Sequence, residues 1–102
     1  MGAERAIEDL YKAVYMLPKL GETFTGIISS GAKHGIYVEL PSTVEGLVRI
    51  ADISDDYYDF EPHTLSFLGR AHKRRFAIGD TVHVRLAGVN IASGQIDFDL
   101  LD

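Results

Sequence analysis

Two periods of hydrophobic recurrence divide the chain. From Ala3 to Leu17, AERAIEDLYKAVYML sets Ile7, Leu10, Tyr11 and Val14 at the i, i+3, i+4, i+7 spacing of one helical stripe, with Glu4, Arg5, Glu8, Asp9 and Lys12 elsewhere. Pro18 limits that helix, and from Gly21 onward the period drops to two. Phe24, Gly26 and Ile28 alternate in a first strand, and Ile36, Val38 and Leu40 in a second. Val48 and Ile50 follow in a third, after the connection PSTVEG. GDTVHVRLAGV opens on a Gly-Asp turn and sends Val82, Val84 and Leu86 inward, and GQIDFDL does the same with Ile96, Phe98 and Leu100.

Between the third strand and Gly79 the pattern is irregular. A short helical turn is expected at Asp52 to Asp55, where carboxylates suit the unpaired amides and the positive end of the dipole. After Pro62, TLSFLG and KRRF read as two short extended pieces of a hairpin, and Tyr57, Tyr58 and Phe60 as a lid over the end of the core. The predicted fold class is therefore all-β: a five-stranded antiparallel OB-fold barrel with an N-terminal α-helix and a short helical turn between strands three and four. The second and third strands of such a barrel form an open face for oligonucleotides or oligosaccharides.

Length and composition narrow the function classes. A chain of 102 residues supports one small core. It has no cysteine, which removes disulfides, thiolate zinc sites and cysteine nucleophiles together, and a reducing, cytoplasmic setting is the expectation. No apolar run approaches the ~20 residues that span a bilayer, so no membrane partner is expected. The formal charge of −5 argues against indiscriminate phosphate binding, but its distribution is uneven. Acid gathers in DISDDYYDFE and near the C-terminus, base in RAHKRR, with Lys33, Arg49 and Arg85 dispersed.

The outward residues carry the candidate chemistry. His34 and Tyr37 flank the second strand at an odd separation that strict alternation would send to opposite faces. A bulge at Gly35 would return both rings to one side, where a base stacked on such a ring gains ~1–3 kcal/mol. Otherwise His34 is a turn residue and Tyr37 packs against a neighbour. Arg49 lies opposite Val48 and Ile50, so it projects from the same open face, either toward a base or phosphate or into a surface pair with Glu39 or Glu45. Lys33 and Arg85 would add charge at the rim. Lys73, Arg74 and Arg75, with His72, form either a phosphate-tracking edge or a solvated hairpin. The acidic cluster Asp52, Asp55, Asp56, Asp59 lacks the spacing of a calcium loop. The four histidines show no metal-ligand spacing, and no nucleophile context is present. Neither cofactor nor catalysis is expected of this chain.

GETFTGIISSGAKHGIYVELPSTVEGLVRIADI resembles the S-one RNA-binding domain. The continuation DDYYDF, LSFLG, RRFAIGDTVHVRLAGVNI and IDFDL is similar to that domain as it stands at the C-terminus of the exoribonuclease II family, of ribonuclease R type. YKAVYM resembles the segment leaving that family's catalytic domain. The resemblance implies two parts, residues 1–20 as the tail of a missing catalytic domain and 21–102 as the OB-fold RNA-binding domain. It implies a single-stranded RNA-binding module of a processive 3'-5' exoribonuclease, with the hydrolase chemistry elsewhere and the parent's catalytic domain as a partner. Carried over by position, the family's two second-strand aromatics fall on His34 and Tyr37, its third-strand histidine on Arg49, its aspartate on Asn90 and its arginine on Gln95. The alternative is a protein-interaction module with a degraded RNA face, docking through the helix or DDYYDF.

Overall fold

The computed structural model describes residues 11–53, 57–71 and 75–101, with only the backbone of Asp52. Among the described residues eight strands follow the N-terminal helix: β1 (Thr23–Ala32), β2 (Gly35–Glu39), β3 (Glu45–Arg49), β4 (Tyr58–Glu61), β5 (Ser66–Gly69), β6 (Arg75–Phe76), β7 (Thr81–Asn90) and β8 (Gln95–Leu100). Five of them close a barrel in the order β1-β2-β3-β8-β7, and β4, β5 and β6 form a separate three-stranded sheet. The five barrel strands are those the period-two segments predict. Their ladders are antiparallel except at the β3–β8 seam, where Leu47 and Asp97 pair in parallel.

Alternation explains the core. Ile36, Val38, Val48, Val84 and Phe98 are all at 1% exposure or less, while the alternate residues Tyr37, His83, Arg85 and Asp97 are exposed or half-buried. Side chains on one face of a strand recur every second residue, so each strand contributes one inward row to a single interior. Phe98 fills the space over Gly46, where an added Cβ would lie 2.5 Å from its ring. A small residue opposite a large one is how a narrow barrel accommodates a phenylalanine.

One open sequence expectation is decided here and two are corrected. Tyr11 and Val14 of the helical stripe, which could either pack across the barrel or be left as apolar surface, are left as surface at 71% and 51% exposure, and residues 11–16 pack through Ala13 and Met16. The two faces are adjacent on the helical wheel, and the small Ala13 lets the helix approach closely enough to bury Met16 in the barrel's cluster. Ile7 and Leu10 lie outside the described residues. Tyr57, read as part of a lid, is 82% exposed, whereas Tyr58 and Phe60 do pack on the core against Phe76 and Phe67, with ring centroids 5.3 and 5.1 Å apart. They do so from β4, a strand the sequence reading did not separate, which adds an edge to the expected β5–β6 hairpin. Finally, the bulge near the second strand falls on Ser29 of β1, between Ile28 and Ser30, rather than at Gly35.

The helical turn after the third strand is a 3₁₀ turn, Ile50–Asp52, beginning earlier than expected and taking in Ile50. Residues 54–56, with Asp55 and Asp56, lie outside the described set. Among the described residues no helix is long and apolar enough to cross a membrane.

Candidate nucleic-acid interface

The outward face of β2 and β3 is built by their register. Gly35 pairs with Arg49, Tyr37 with Leu47 and Glu39 with Glu45, so the hairpin presents a cation at one end, an aromatic ring in the middle and two carboxylates at the other end. The β2–β3 approach is tight at the cationic end. A Cβ on Gly35 would collide with the Val48 carbonyl, and the Ile50 amide donates to the His34 carbonyl at 2.9 Å.

His34 precedes β2 in a turn, so the alternation rule does not apply to it. Its ring meets Tyr37 edge to face, with centroids 5.9 Å apart and planes at 87°, and its Nε2 lies 3.1 Å from the Tyr37 hydroxyl oxygen. Both readings of this pair thus hold in part: His34 is a turn residue, and both rings nevertheless share one side. Tyr37 is half-buried and His34 exposed, which leaves ring surface open to solvent.

These residues line an open cleft of about 660 Å³, together with Arg49, Gln95 and the β2–β3 carboxylates. That volume lies within the ~300–1,000 Å³ range of ligand sites. Two further walls come from places the sequence reading did not assign. Lys12 reaches over from the helix and donates to the Thr43 carbonyl at 3.3 Å, and Ser93 and Gly94 approach from the β7–β8 turn. The signal for Lys12 was its i, i+4 relation to Met16, which becomes informative only once Met16 is known to face the barrel. At the acidic end the Ser29 hydroxyl, turned into place by the bulge, donates to Glu45 Oε2 at 2.6 Å.

Arg49 takes neither Glu39 nor Glu45 as its anionic neighbour. Its Nη2 lies 3.9 Å from Asp97 Oδ1, and its side chain is 57% exposed. Gln95 donates from Nε2 to the same Asp97 oxygen at 3.0 Å. Of the other candidates, Asn90 caps the β7–β8 turn, its Oδ1 accepting from the Ser93 amide at 3.2 Å. Arg85 sits on β7 paired with Asp99 at 3.3 Å and does not line the cleft. Lys33 is exposed in the turn before His34, outside the cleft lining, and Arg75 is exposed on β6 in the smaller sheet. Lys73, Arg74 and His72 lie outside the described residues. The structure therefore brings His34, Tyr37, Arg49 and Gln95 together, and leaves Lys33, Arg85, Asn90 and Arg75 outside that group. Among the described residues no set of three His, Asp or Glu side chains could hold a metal ion.

This arrangement suits stacking beside one or two positive charges. Planar rings accept any base, and the exposed guanidinium suits phosphate.

Known proteins share this framework. Ribonuclease R of Ureaplasma parvum is 36% identical over 98 residues, covering 96% of this chain and 14% of that protein. Ribonuclease R of Escherichia coli is 34% identical over 100 residues, covering 97% and 12%. The chain thus spans about an eighth of the length of these relatives. Among solved structures, Mycoplasma genitalium RNase R superposes with a TM-score of 0.92 at 26% identity, over 98% of this chain and 16% of that one, both in its apo form and in complex with ribose-methylated single-stranded RNA. A family model described as the S1 (S-one) RNA binding domain matches residues 17–100. The chain belongs to the S1 RNA binding domain family.

Proposed function

We propose that the β2–β3 cleft holds single-stranded RNA, and that this domain serves a ribonuclease R type exoribonuclease as an RNA-holding module in the cytosol. The observation that carries the reading is the His34–Tyr37 pair, two rings fixed against each other on an open face with the Arg49 guanidinium beside them. One base lies on the exposed ring surface while its phosphate reaches Arg49 or Lys12. The relatives named above support the assignment of the parent enzyme, and cleavage belongs to a part of such an enzyme outside this domain.

Binding by the isolated domain is weak, since one stacking platform and one or two cations supply few contacts in a chain of net charge −5. Tethering to a catalytic domain makes a weak site useful, because a linked ligand is present at a high effective concentration. The exposed side of the helix, Tyr11, Val14 and Tyr15, is the surface through which the domain would lie against that neighbour.

Titration with an unstructured RNA oligomer, read by backbone amide shifts, tests the proposal. Shifts at His34, Tyr37 and Arg49 that shrink between 50 and 200 mM salt support it. An unchanged spectrum at millimolar RNA rejects it and leaves the protein-interaction alternative standing.

A further inference from the structure

Outward residues on β8 alternate as Gln95, Asp97 and Asp99, and cations flank them on both sides. Arg49 of β3 stands beside Asp97, and Arg85 of β7 beside Asp99. The parallel seam sets up the first of these contacts, since Leu47 pairs with Asp97 and Arg49 follows Leu47 on the same face of β3. Asp97 is the more sheltered partner, 34% exposed against 57% for Arg49, and the oxygen nearest Arg49 also accepts from the Gln95 amide. Thus a carboxylate hydrogen-bonded to Gln95 faces, across 3.9 Å, a guanidinium that is the more exposed of the two.

We propose that Asp97 is the residue that sets the affinity of the cleft for RNA, by occupying the guanidinium that a phosphate must take over. The inference rests on the reading of the cleft as an RNA site. A phosphate approaching Tyr37 meets an Arg49 already drawn toward β8 and a carboxylate that repels it. Binding becomes an exchange of one anion for another at Arg49. Gln95 has a corresponding role as a positioning residue: its amide is spent on Asp97 rather than on RNA. An exposed ion pair competes by up to about fivefold in an equilibrium constant. The carboxylate therefore weakens RNA binding without closing the site.

The test is Asp97→Asn in the full 102-residue chain, titrated with oligouridylate and oligoadenylate by fluorescence anisotropy. Asparagine keeps the shape and the oxygen that accepts from Gln95, so thermal unfolding should be nearly unchanged. Affinity should rise about two- to fivefold, and the slope of log K against log salt should steepen by up to about 0.7, the value of one further single-strand phosphate contact. Glu22→Gln, which changes the net charge equally at an exposed position away from the cleft, should give no comparable gain. In an Arg49→Gln background the gain from Asp97→Asn should largely vanish, since residues that act through one another are non-additive. Equal gains from Asp97→Asn and Glu22→Gln, or a full gain without Arg49, overturn the proposal and leave RNA binding standing. Loss of binding on Asp97→Asn in a folded protein also overturns it. Absence of binding by the parent and every variant would instead sink the RNA reading itself.

Discussion

Tyr37→Ala separates the stability of the barrel from its use. The neighbours of Tyr37 in the chain, Ile36 and Val38, point inward at 0% exposure, so Tyr37 itself points out, across from Leu47 on β3 and Ser30 on β1. Truncation removes the edge-to-face contact with His34, worth ~0.5–1.5 kcal/mol, and opens no cavity in the interior. The 3.1 Å hydrogen bond to His34 is exposed and water replaces it at little cost. The expected loss of stability is about 1–2 kcal/mol, with about 4–8 °C of melting temperature per kcal/mol for a domain of this size. RNA affinity loses the stacking contribution, ~1–3 kcal/mol or about 5- to 150-fold. Tyr37→Phe keeps the ring and should retain most of the affinity. Urea unfolding and anisotropy titration at one fixed salt concentration measure the two effects on the same samples. A stability loss of ~3–5 kcal/mol, the cost of a core aromatic, would show that the ring supports the fold and refute the assignment. Unchanged RNA affinity would refute it from the other side.

Further outcomes follow from the same packing. Arg49→Gln should lower RNA affinity and flatten its salt dependence by about 0.7 in slope, while changing stability by less than ~0.5 kcal/mol; a salt slope equal to the parent's would show that Arg49 touches no phosphate. Gly46→Ala should cost ~1–3 kcal/mol in urea unfolding because the new methyl meets the Phe98 ring at 2.5 Å, and a parent-like midpoint would mean that the barrel has room there. Met16→Ala should expose the helix to amide exchange at a cost of ~2–5 kcal/mol, whereas Val14→Ala at 51% exposure should stay within ~0.5; the reverse order would restore the stripe read from the sequence.

That last comparison marks where the sequence was readable and where it was not. The barrel strands were legible because a half-buried strand needs only a period of two, and the rows Val82, Val84, Leu86 and Ile96, Phe98 satisfy it without ambiguity. The helix was legible as a helix, but its packing face was not. Apolar residues cover more than half its turn, and a hydrophobic pattern does not say which part of a wide stripe meets a partner and which is left to another body. The small sheet was half legible: Ser66–Gly69 and Arg75–Phe76 alternate weakly, and Tyr58–Glu61 alternates aromatic with acid, which reads equally well as an acidic loop. Its strand character comes from pairing with β5 and from the fork between Arg70 and Asp59, with nitrogens 2.9–3.1 Å from the carboxylate. In the cleft, Tyr37 and Arg49 follow from alternation alone. His34 needed the turn, and Asp97, which stands beside Arg49 outside the cleft lining, needed the β3–β8 seam, a contact between segments fifty positions apart that no local pattern announces.

An acidic protein can present an RNA face because the relevant charge is local. Some carboxylates elsewhere on the surface, Asp59 with Arg70 among them, are paired, and those beyond a Debye length of ~8 Å at physiological salt act on a bound phosphate only weakly. In the proposed cleft a nucleotide would meet the row along β3 and its neighbours: Arg49 at one end, Glu39 and Glu45 at the other, and the Tyr37 ring between. On the reading proposed above, a phosphate is favoured at the Arg49 end of the row and opposed at the glutamate end. The same alternation that buries Ile36 and Val38 holds that row outside the core, which is why its charges can be arranged for a ligand with little consequence for the barrel beneath.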